Sequence, residues 1–385
     1  MPTIRILHAS DLHISAQKEM NISPIDQLTQ LGKVKSNATT LLYLASWAKR
    51  ALKAFLKKMT ASSYEPDVLK RLTLFIYENA RKKKIDGRDQ VEVGDDKIDA
   101  VILSGDLATT GIQIDIDKVQ RFLSSSIDAL HPWKNQDGEA TLTAVSIPIW
   151  IVPGNHDRFE PTRSVIFFQN LPLPKFFNPG APRFDQIIDF KHTPATELGA
   201  VPDWTSGPTP VRVVVLGADF SLRQFVDHDG FYGWLAQGCV YDDIMQQLID
   251  KTEEANSKHK EHNQGALCIL WVVHFPPGYP HLSKPHRLLF EGRLTSAANN
   301  HGVNAILAGH THEQVKYRKP GANFDVLCCG TTSQYVPPKT SGRNRFQIIN
   351  VTCNDSSNVL ITLDNYKYMR AGEAGITVSN FYSEP

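Results

Sequence analysis

The chain has 385 residues, 41% of them hydrophobic, which supplies one large core or two modest ones and excludes collagen-like and wholly disordered chains. Forty-one Lys+Arg stand against 40 Asp+Glu, so the overall field is nearly neutral and recruits neither nucleic acid nor an anionic membrane by itself. Five cysteines without a C-x-x-C pair exclude a disulfide framework and a zinc knuckle, and imply a reducing compartment.

Taken in chain order, the first residues run directly into an apolar strand pattern over 4–7, with no leader-like apolar region and cleavage site ahead of it. Residues 16–98 then make a long excursion. Leu41, Leu44, Ala45, Ala48, Leu52, Phe55, Leu56 and Met59 form one helical stripe, and Val68, Leu72, Phe75 and Ile76 form a second that ends near Lys82-Lys83-Lys84, before a turn at Asp86-Gly87. We read a helical hairpin insert. It carries 16 Lys+Arg against 10 Asp+Glu, and a solvated helix face accounts for that excess better than a nucleic-acid patch, because no stacking aromatics are interleaved with the lysines.

Further short, continuous apolar runs lie at 100–103, 147–152, 211–216, 267–273, 303–307 and 326–329, the pattern of strands buried on both faces. Helical patterns at 242–255 and 288–299 alternate with them, so the class is layered α/β. Prolines recur from 160 to 210, a Pro-rich surface excursion in which regular structure is hard to place, and residues 370–385 read as a loosely held tail. One domain over 1–369 follows. No apolar run approaches the roughly 20 residues of a membrane helix, so a cytoplasmic protein without membrane contact is expected.

Five of the apolar runs are followed within a few positions by metal-ligating residue types. These are Asp11 and His13 in Ser-Asp-Leu-His, Asp106 in Ser-Gly-Asp, Asn155, His156 and Asp157 in Gly-Asn-His-Asp, His274 in Val-Val-His-Phe, and His310 and His312 in Gly-His-Thr-His. Carboxyl ends of strands in an α/β sheet face one crevice, so such groups converge although they are remote in sequence. Imidazole nitrogen with carboxylate and amide oxygen, and no thiolate, selects Mn, Fe, Zn or Ni over copper(I) or an iron–sulfur cluster. Asp11, His13, Asp106, Asn155, His274, His310 and His312 outnumber the roughly four to six donors that one ion takes, whereas two ions sharing a carboxylate use them all. A pair of ions roughly 3.5 to 4 Å apart produces a hydroxide near neutral pH and clamps the attacking and leaving oxygens of a phosphoryl displacement. Gly105, Gly154 and Gly309 each precede an expected ligand, where a glycine with positive φ would turn that ligand inward.

Asp-x-His, Gly-Asp, Gly-Asn-His-Asp, His and Gly-His-x-His, in this order over residues 5–313, resemble the calcineurin-like metallophosphoesterases. The resemblance implies a four-layer αββα sandwich with the helical hairpin as an insert, and two divalent or trivalent transition metal ions. It implies Asp11, His13, Asp106 and His312 around the first ion, Asp106, Asn155, His274 and His310 around the second, and Asp106 as the bridge. His156 would protonate the leaving oxygen, and Asp157 could orient its imidazole. Val272-Val273-His274-Phe275-Pro276-Pro277 and Gly330-Thr331-Thr332-Ser333 look most like the class III cyclic-nucleotide phosphodiesterases, which implies attack by a metal-bridging hydroxide on a nucleotide-type phosphodiester substrate.

Each motif alone is as readily a turn, an N-cap or a core histidine; their order and placement after buried strands favour the site. The opening Leu-His-Ala-Ser-Asp also resembles the family's repair nucleases, which leaves nucleic acid open as a partner, although little chain remains for the capping domain those enzymes append. A non-catalytic scaffold that uses the fold as a binding platform is the rival from another class, and the complete ligand set argues against it. The oligomeric state is not legible. His8 is expected to pack within the first strand, and vicinal Cys328-Cys329 to be buried thiols.

Overall fold

A computed structural model describes residues 3–15, 65–85, 87–109, 113–158, 195–201, 211–221, 238–262, 265–282, 287–333, 344–353, 358–373 and 376–384. In chain order the elements are β1 (Ile4–Ala9), α1 (Pro66–Asn79), β2 (Lys82–Ile85), β3 (Arg88–Val91), β4 (Ala100–Leu103), α2 (Gln113–Ser124), β5 (Ile149–Ile151) and the short α3 (Asn155–Arg158). They continue with β6 (Ala195–Val201), β7 (Val211–Ala218), α4 (Asp242–His262), β8 (Ala266–Val272), α5 (Glu291–Asn300), β9 (Ala305–Ala308), β10 (Val315–Tyr317), β11 (Asp325–Cys328), β12 (Arg345–Cys353), β13 (Val359–Met369) and β14 (Asn380–Ser383).

Two six-stranded sheets form, in the orders β14-β13-β12-β1-β4-β5 and β10-β11-β9-β8-β7-β6. Their centres are parallel, β1 with β4 and β5 in one sheet and β7, β8, β9 and β11 in the other, and antiparallel strands flank both. Alternation along β1 explains the layers. Ile4 and Ile6 enter a core shared with Val213, Val215, Leu270 and Val272 of the opposite sheet. Leu7 and Ala9 point the other way, into a core with Leu72 and Ile76 of α1 and Val119 of α2. On the far side Leu216, Ile269 and Trp271 pack against Ile244 and Leu248 of α4 and Leu294 of α5. Continuous apolar strands are required because both sheets are covered on both faces. The result is the expected αββα sandwich.

Local chemistry supports each helix that covers a sheet. Pro66 occupies the first turn of α1 beside Asp67, and Val68, Leu69, Leu72 and Ile76 form its buried stripe. Two acids, Asp242 and Asp243, open α4, and the Trp271 indole donates to Thr252 Oγ1 at 3.0 Å to fix that helix on β8.

Three sequence expectations change. The first stripe of the anticipated helical hairpin lies outside the described residues; the second is α1, which belongs to the outer layer of the sandwich, and Lys82-Lys83-Lys84 is a strand of the β2–β3 hairpin. Lys82 and Lys83 there face Asp89 at 2.9 Å and Glu92 at 3.0 Å, so the basic run is neutralised across the hairpin. Within the Pro-rich stretch, Ala195–Val201 is a regular edge strand, β6, paired with β7. The supposed tail is also ordered. β14 pairs with β13, and Phe381, 5% exposed, meets Phe346 and Tyr368 at ring-centroid distances of 4.8 and 5.3 Å. Four residues with a single buried anchor give too little hydrophobic pattern to be read as a strand before its partner is known.

Replacing Phe381 by Ala therefore removes a core anchor. We expect a loss of about 3–5 kcal/mol of unfolding free energy by denaturant titration, where a loosely held tail would show no change.

Candidate metal centre

Strand ends build the site. Asp11 and His13 follow β1, Asp106 follows β4, Asn155 to Asp157 follow β5 and form α3, His274 follows β8, and His310 and His312 follow β9. The two sheets thus deliver their carboxyl ends to one place. Backbone hydrogen bonds lock the loops together: Asp11 N donates to Gly105 O at 3.0 Å, His13 N to Asp106 O at 2.9 Å, and Gly309 N to His274 O at 3.0 Å.

Asp11, His13, Asp106, His310 and His312 all adopt the left-handed region, with φ between 50° and 65°, and they are five of the six non-glycine residues with positive φ among those described. Such backbone costs on the order of 1–3 kcal/mol per residue and persists where the surroundings over-determine it. The glycine expectation is partly corrected. Gly105 has φ 99°, but Gly154 and Gly309 do not turn left-handed. Those two are required by closeness: a Cβ on Gly154 would overlap the Asp106 carboxylate, and one on Gly309 would overlap Ser10 Oγ. In both Gly105-Asp106 and Gly309-His310 the ligand type itself takes the left-handed turn.

All seven expected ligands meet. Asp11 Oδ1 lies 3.2 Å from His312 Nε2 and 3.9 Å from His13 Nε2. Asp106 Oδ2 lies 3.2 Å from His274 Nε2 and 4.0 Å from His13 Nε2, so one carboxylate oxygen sits between the two halves of the cluster. Asn155 Oδ1 is 2.9 Å from His274 Nε2 and 3.0 Å from His310 Nδ1. Asp11, His13 and His312 converge with donor atoms within 4.8 Å of one another, and so do Asp106, His274 and His310, and also His13, Asp106 and His156. Asp11, His13, Asp106, Asn155 and His274 are buried; the His312 side chain is 40% exposed, and His156 and His310 are half-buried. The cluster has a closed floor and a rim of imidazoles.

Tautomers are set by carbonyls. His274 Nδ1 donates to Ser104 O at 2.8 Å and turns Nε2 to the cluster, and His156 Nδ1 donates to Thr109 O at 2.7 Å. This second contact corrects the expected role of Asp157. Its Oδ1 accepts the Ala108 amide at 2.7 Å and its Oδ2 the Gly154 amide at 2.8 Å, so it braces the loops while a backbone carbonyl orients His156. Neither a carbonyl partner nor a pair of amide donors leaves any mark on side-chain spacing, so the sequence held no signal for either.

Burial acts to raise the pKa of both cluster carboxyls, and the imidazoles overcome it: His312 above all brings Asp11 down to about 2, and His274 and His156 hold Asp106 well below the usual carboxylate range. Burial acts to lower His274, and Asp106 and Asp11 overcome that, raising it to about 9. Burial and the adjacent Asp106 charge raise Asp157 to about 7. For His13, burial and the neighbouring His156 lower the pKa to about 3.

The sequence from residue 4 to 314 matches the model of the calcineurin-like phosphoesterases. The chain belongs to that family. It is a metal-dependent phosphoester hydrolase. No curated protein matches the sequence significantly. Solved structures that the calcineurin-like phosphoesterase chain is similar to include a dimetal phosphatase from Danio rerio, at 13% identity and TM-score 0.44, covering 91% of this chain and 95% of that one. They also include GAP50 of the Plasmodium inner membrane complex, at 11% identity and TM-score 0.40, covering 100% and 90%. A third is a putative 5′-nucleotidase from Staphylococcus aureus, at 13% identity and TM-score 0.39, covering 99% of this chain and 54% of that one.

The phosphoesterase site fits a metal pair on its own chemistry. Both ring nitrogens of His13 are, among the described residues, buried polar atoms without a hydrogen-bond partner, an arrangement that is costly unless a cation lies against them, and Asp11 Oδ1 beside them has the His312 imidazole at 3.2 Å. No helix of the described residues is long and apolar enough to cross a membrane.

Beneath the site, His8 packs as its strand position predicts, with Nε2 2.7 Å from Ser104 Oγ and Nδ1 2.8 Å from Gln347 Nε2. Burial lowers its pKa to about 3 against partial opposition from Asp11. Because the folded pKa lies below the ordinary 6.5, the unfolded chain binds the extra proton first, and the stability present above pH 6.5 is lost as pH falls towards 3. In chelator, unfolding free energy should drop by up to roughly 1.4 kcal/mol per pH unit over that window from this group, and His8→Gln should flatten the acid limb in urea titrations.

Proposed function

We propose that this phosphoesterase is a dinuclear phosphodiesterase acting on a nucleotide-type phosphodiester. Asp11, His13, Asp106 and His312 would hold one ion and Asp106, Asn155, His274 and His310 the other. The observation that carries this is the shared position of Asp106 Oδ2, between His13 on one side and His274 on the other. A bound pair of Mn, Fe, Zn or Ni ions supplies Lewis-acid activation of water and neutralises charge on the phosphoryl group.

The chain's own residues do the rest. Asp11 and Asp106 are kept anionic by the imidazoles around them, and the Ser104 carbonyl keeps His274 Nε2 directed inwards. His156 is anchored through Nδ1, which leaves Nε2 at the half-buried rim to carry a proton to the departing oxygen. Its ring also stands 4.7 Å from that of His13, beside the cluster. Asp157 holds the Gly154 and Ala108 amides, and so acts as a brace for the loop that bears Asn155 and His156.

A diester rather than a monoester is favoured by the likeness of Val272-Val273-His274-Phe275-Pro276-Pro277 to the class III cyclic-nucleotide branch. A panel of 2′,3′- and 3′,5′-cyclic nucleotides, dinucleotides, phospholipid headgroup diesters and single-stranded nucleic acid, assayed with Mn²⁺, tests this. Turnover confined to nucleotide diesters supports the reading, and preference for monoesters or lipid headgroups overturns it.

Asp106→Asn should lose turnover of bis-p-nitrophenyl phosphate by orders of magnitude together with bound metal. His156→Ala should slow turnover while keeping about two equivalents of metal per chain by elemental analysis. Chelation should lower the melting temperature and Mn²⁺ should restore it, since an ion bound only by the folded chain stabilises it.

A further inference from the structure

The segment Gly330-Thr331-Thr332-Ser333 leaves β11 of one sheet and crosses to the loop after β1 of the other. Ser10 and Thr331 form a parallel bridge, and Thr332 N donates to Ser10 O at 3.0 Å. Three successive side-chain hydroxyls then engage the first ligand loop or its root. Thr331 Oγ1 donates to Asp11 O at 3.0 Å, and Ser333 Oγ donates to Leu12 O at 2.6 Å. Thr332 Oγ1 accepts the Ser10 amide at 3.2 Å and donates to Arg345 O at 2.9 Å. All three side chains are buried, at 0–3% exposure.

The carbonyls they hold are those of Asp11 and Leu12, which flank or belong to the two left-handed residues Asp11 (φ 53°) and His13 (φ 50°). An Asp and a His with no glycine-like freedom stay in that region only if the peptides between them cannot rotate. A hydroxyl on the Asp11 carbonyl and another on the Leu12 carbonyl fix those two peptide planes. The segment is anchored in turn, since Arg345 N donates to Thr331 O at 2.9 Å and Glu65 N to Ser333 O at 2.7 Å. Among the described hydrogen bonds, neither the Thr331 nor the Ser333 hydroxyl reaches a metal-ligand side chain.

We infer that Thr331 and Ser333 are positioning residues that hold Asp11 and His13 in ligand geometry and thereby set the occupancy of the Asp11–His13–His312 half of the centre. The inference rests on the dinuclear reading above. It bears first on the Asp11–His13–His312 half, because His274 of the other half is held by a separate contact, its Nδ1 on the Ser104 carbonyl.

The test is metal stoichiometry and affinity of the full chain, read by elemental analysis and by Co²⁺ titration followed in the visible spectrum. Thr331→Val, which keeps the shape and removes the donor, and Ser333→Ala should each weaken uptake of one equivalent by roughly 10- to 100-fold and leave the other unchanged. The pair together should bind about one ion where the parent binds about two. Thr331→Ser, which retains the hydroxyl, should restore the second equivalent. If the double variant does not fold, as judged by its circular dichroism, Ser333→Ala alone decides by the same split between equivalents. Two ions held equally tightly by parent and variants overturn the clamp alone, and so does equal weakening of both equivalents. A folded parent that binds no transition metal overturns the dinuclear centre, and the clamp with it.

Discussion

Two carboxylates out of reach of water, Asp11 at 0% and Asp106 at 1% exposure, are the constraint on which this structure turns. Isolated buried carboxylates are strongly disfavoured and normally take up a proton. Here they are held in the opposite state, because His312, His274, His156 and His13 are packed around them. The arrangement leaves the His13 ring nitrogens without hydrogen-bond partners among the described residues. Such a cluster gains little for folding and is suited to multivalent cations, which is the chemistry of the family to which the chain belongs.

Holding those groups together is a backbone problem before it is a side-chain problem. Short loops after β1, β4 and β9 have to direct ligand side chains inwards within a few residues of the strand end. They do so by putting the ligand-type residue itself in the left-handed region, with Gly154 and Gly309 admitting the close neighbours. A strained loop of this kind needs rigid ends. The parallel strands at the middle of each sheet supply them, buried on both faces by helices and by the opposite sheet.

The division between floor and rim follows from the same geometry. Groups from β1, β4 and β8 come up through the centres of the sheets and are buried, whereas the Gly-His-Thr-His turn after β9 lies at the edge of the cluster and leaves His312 40% exposed. Incoming substrate therefore meets imidazoles first, His312, His310 and His156, and the carboxylates lie behind them. The acidic charge is screened from an anionic phosphoester by the residues that compensate it.

The central strands and the ligand types were legible from residue order alone. Runs such as 100–103 and 211–216 are apolar throughout because both faces are covered, and Asp-x-His, Gly-Asp, Gly-Asn-His-Asp and Gly-His-x-His sit directly behind them. Edge elements were not, since β14 and β6 have meaning only beside the strand they pair with, and Lys82-Lys83-Lys84 is read differently once Asp89 and Glu92 stand opposite. Roles carried by the backbone were equally hidden: the Thr109 carbonyl on His156, the amides on Asp157, and the hydroxyls of Thr331 and Ser333 on the Asp11 loop. Side-chain identity dictates which atoms can ligate and which surfaces must be dry, and both are local properties of the residues. Which nitrogen faces inwards, which peptide is pinned and which carboxylate braces the loops depend on partners that can lie 320 positions away, and only folding brings those into contact.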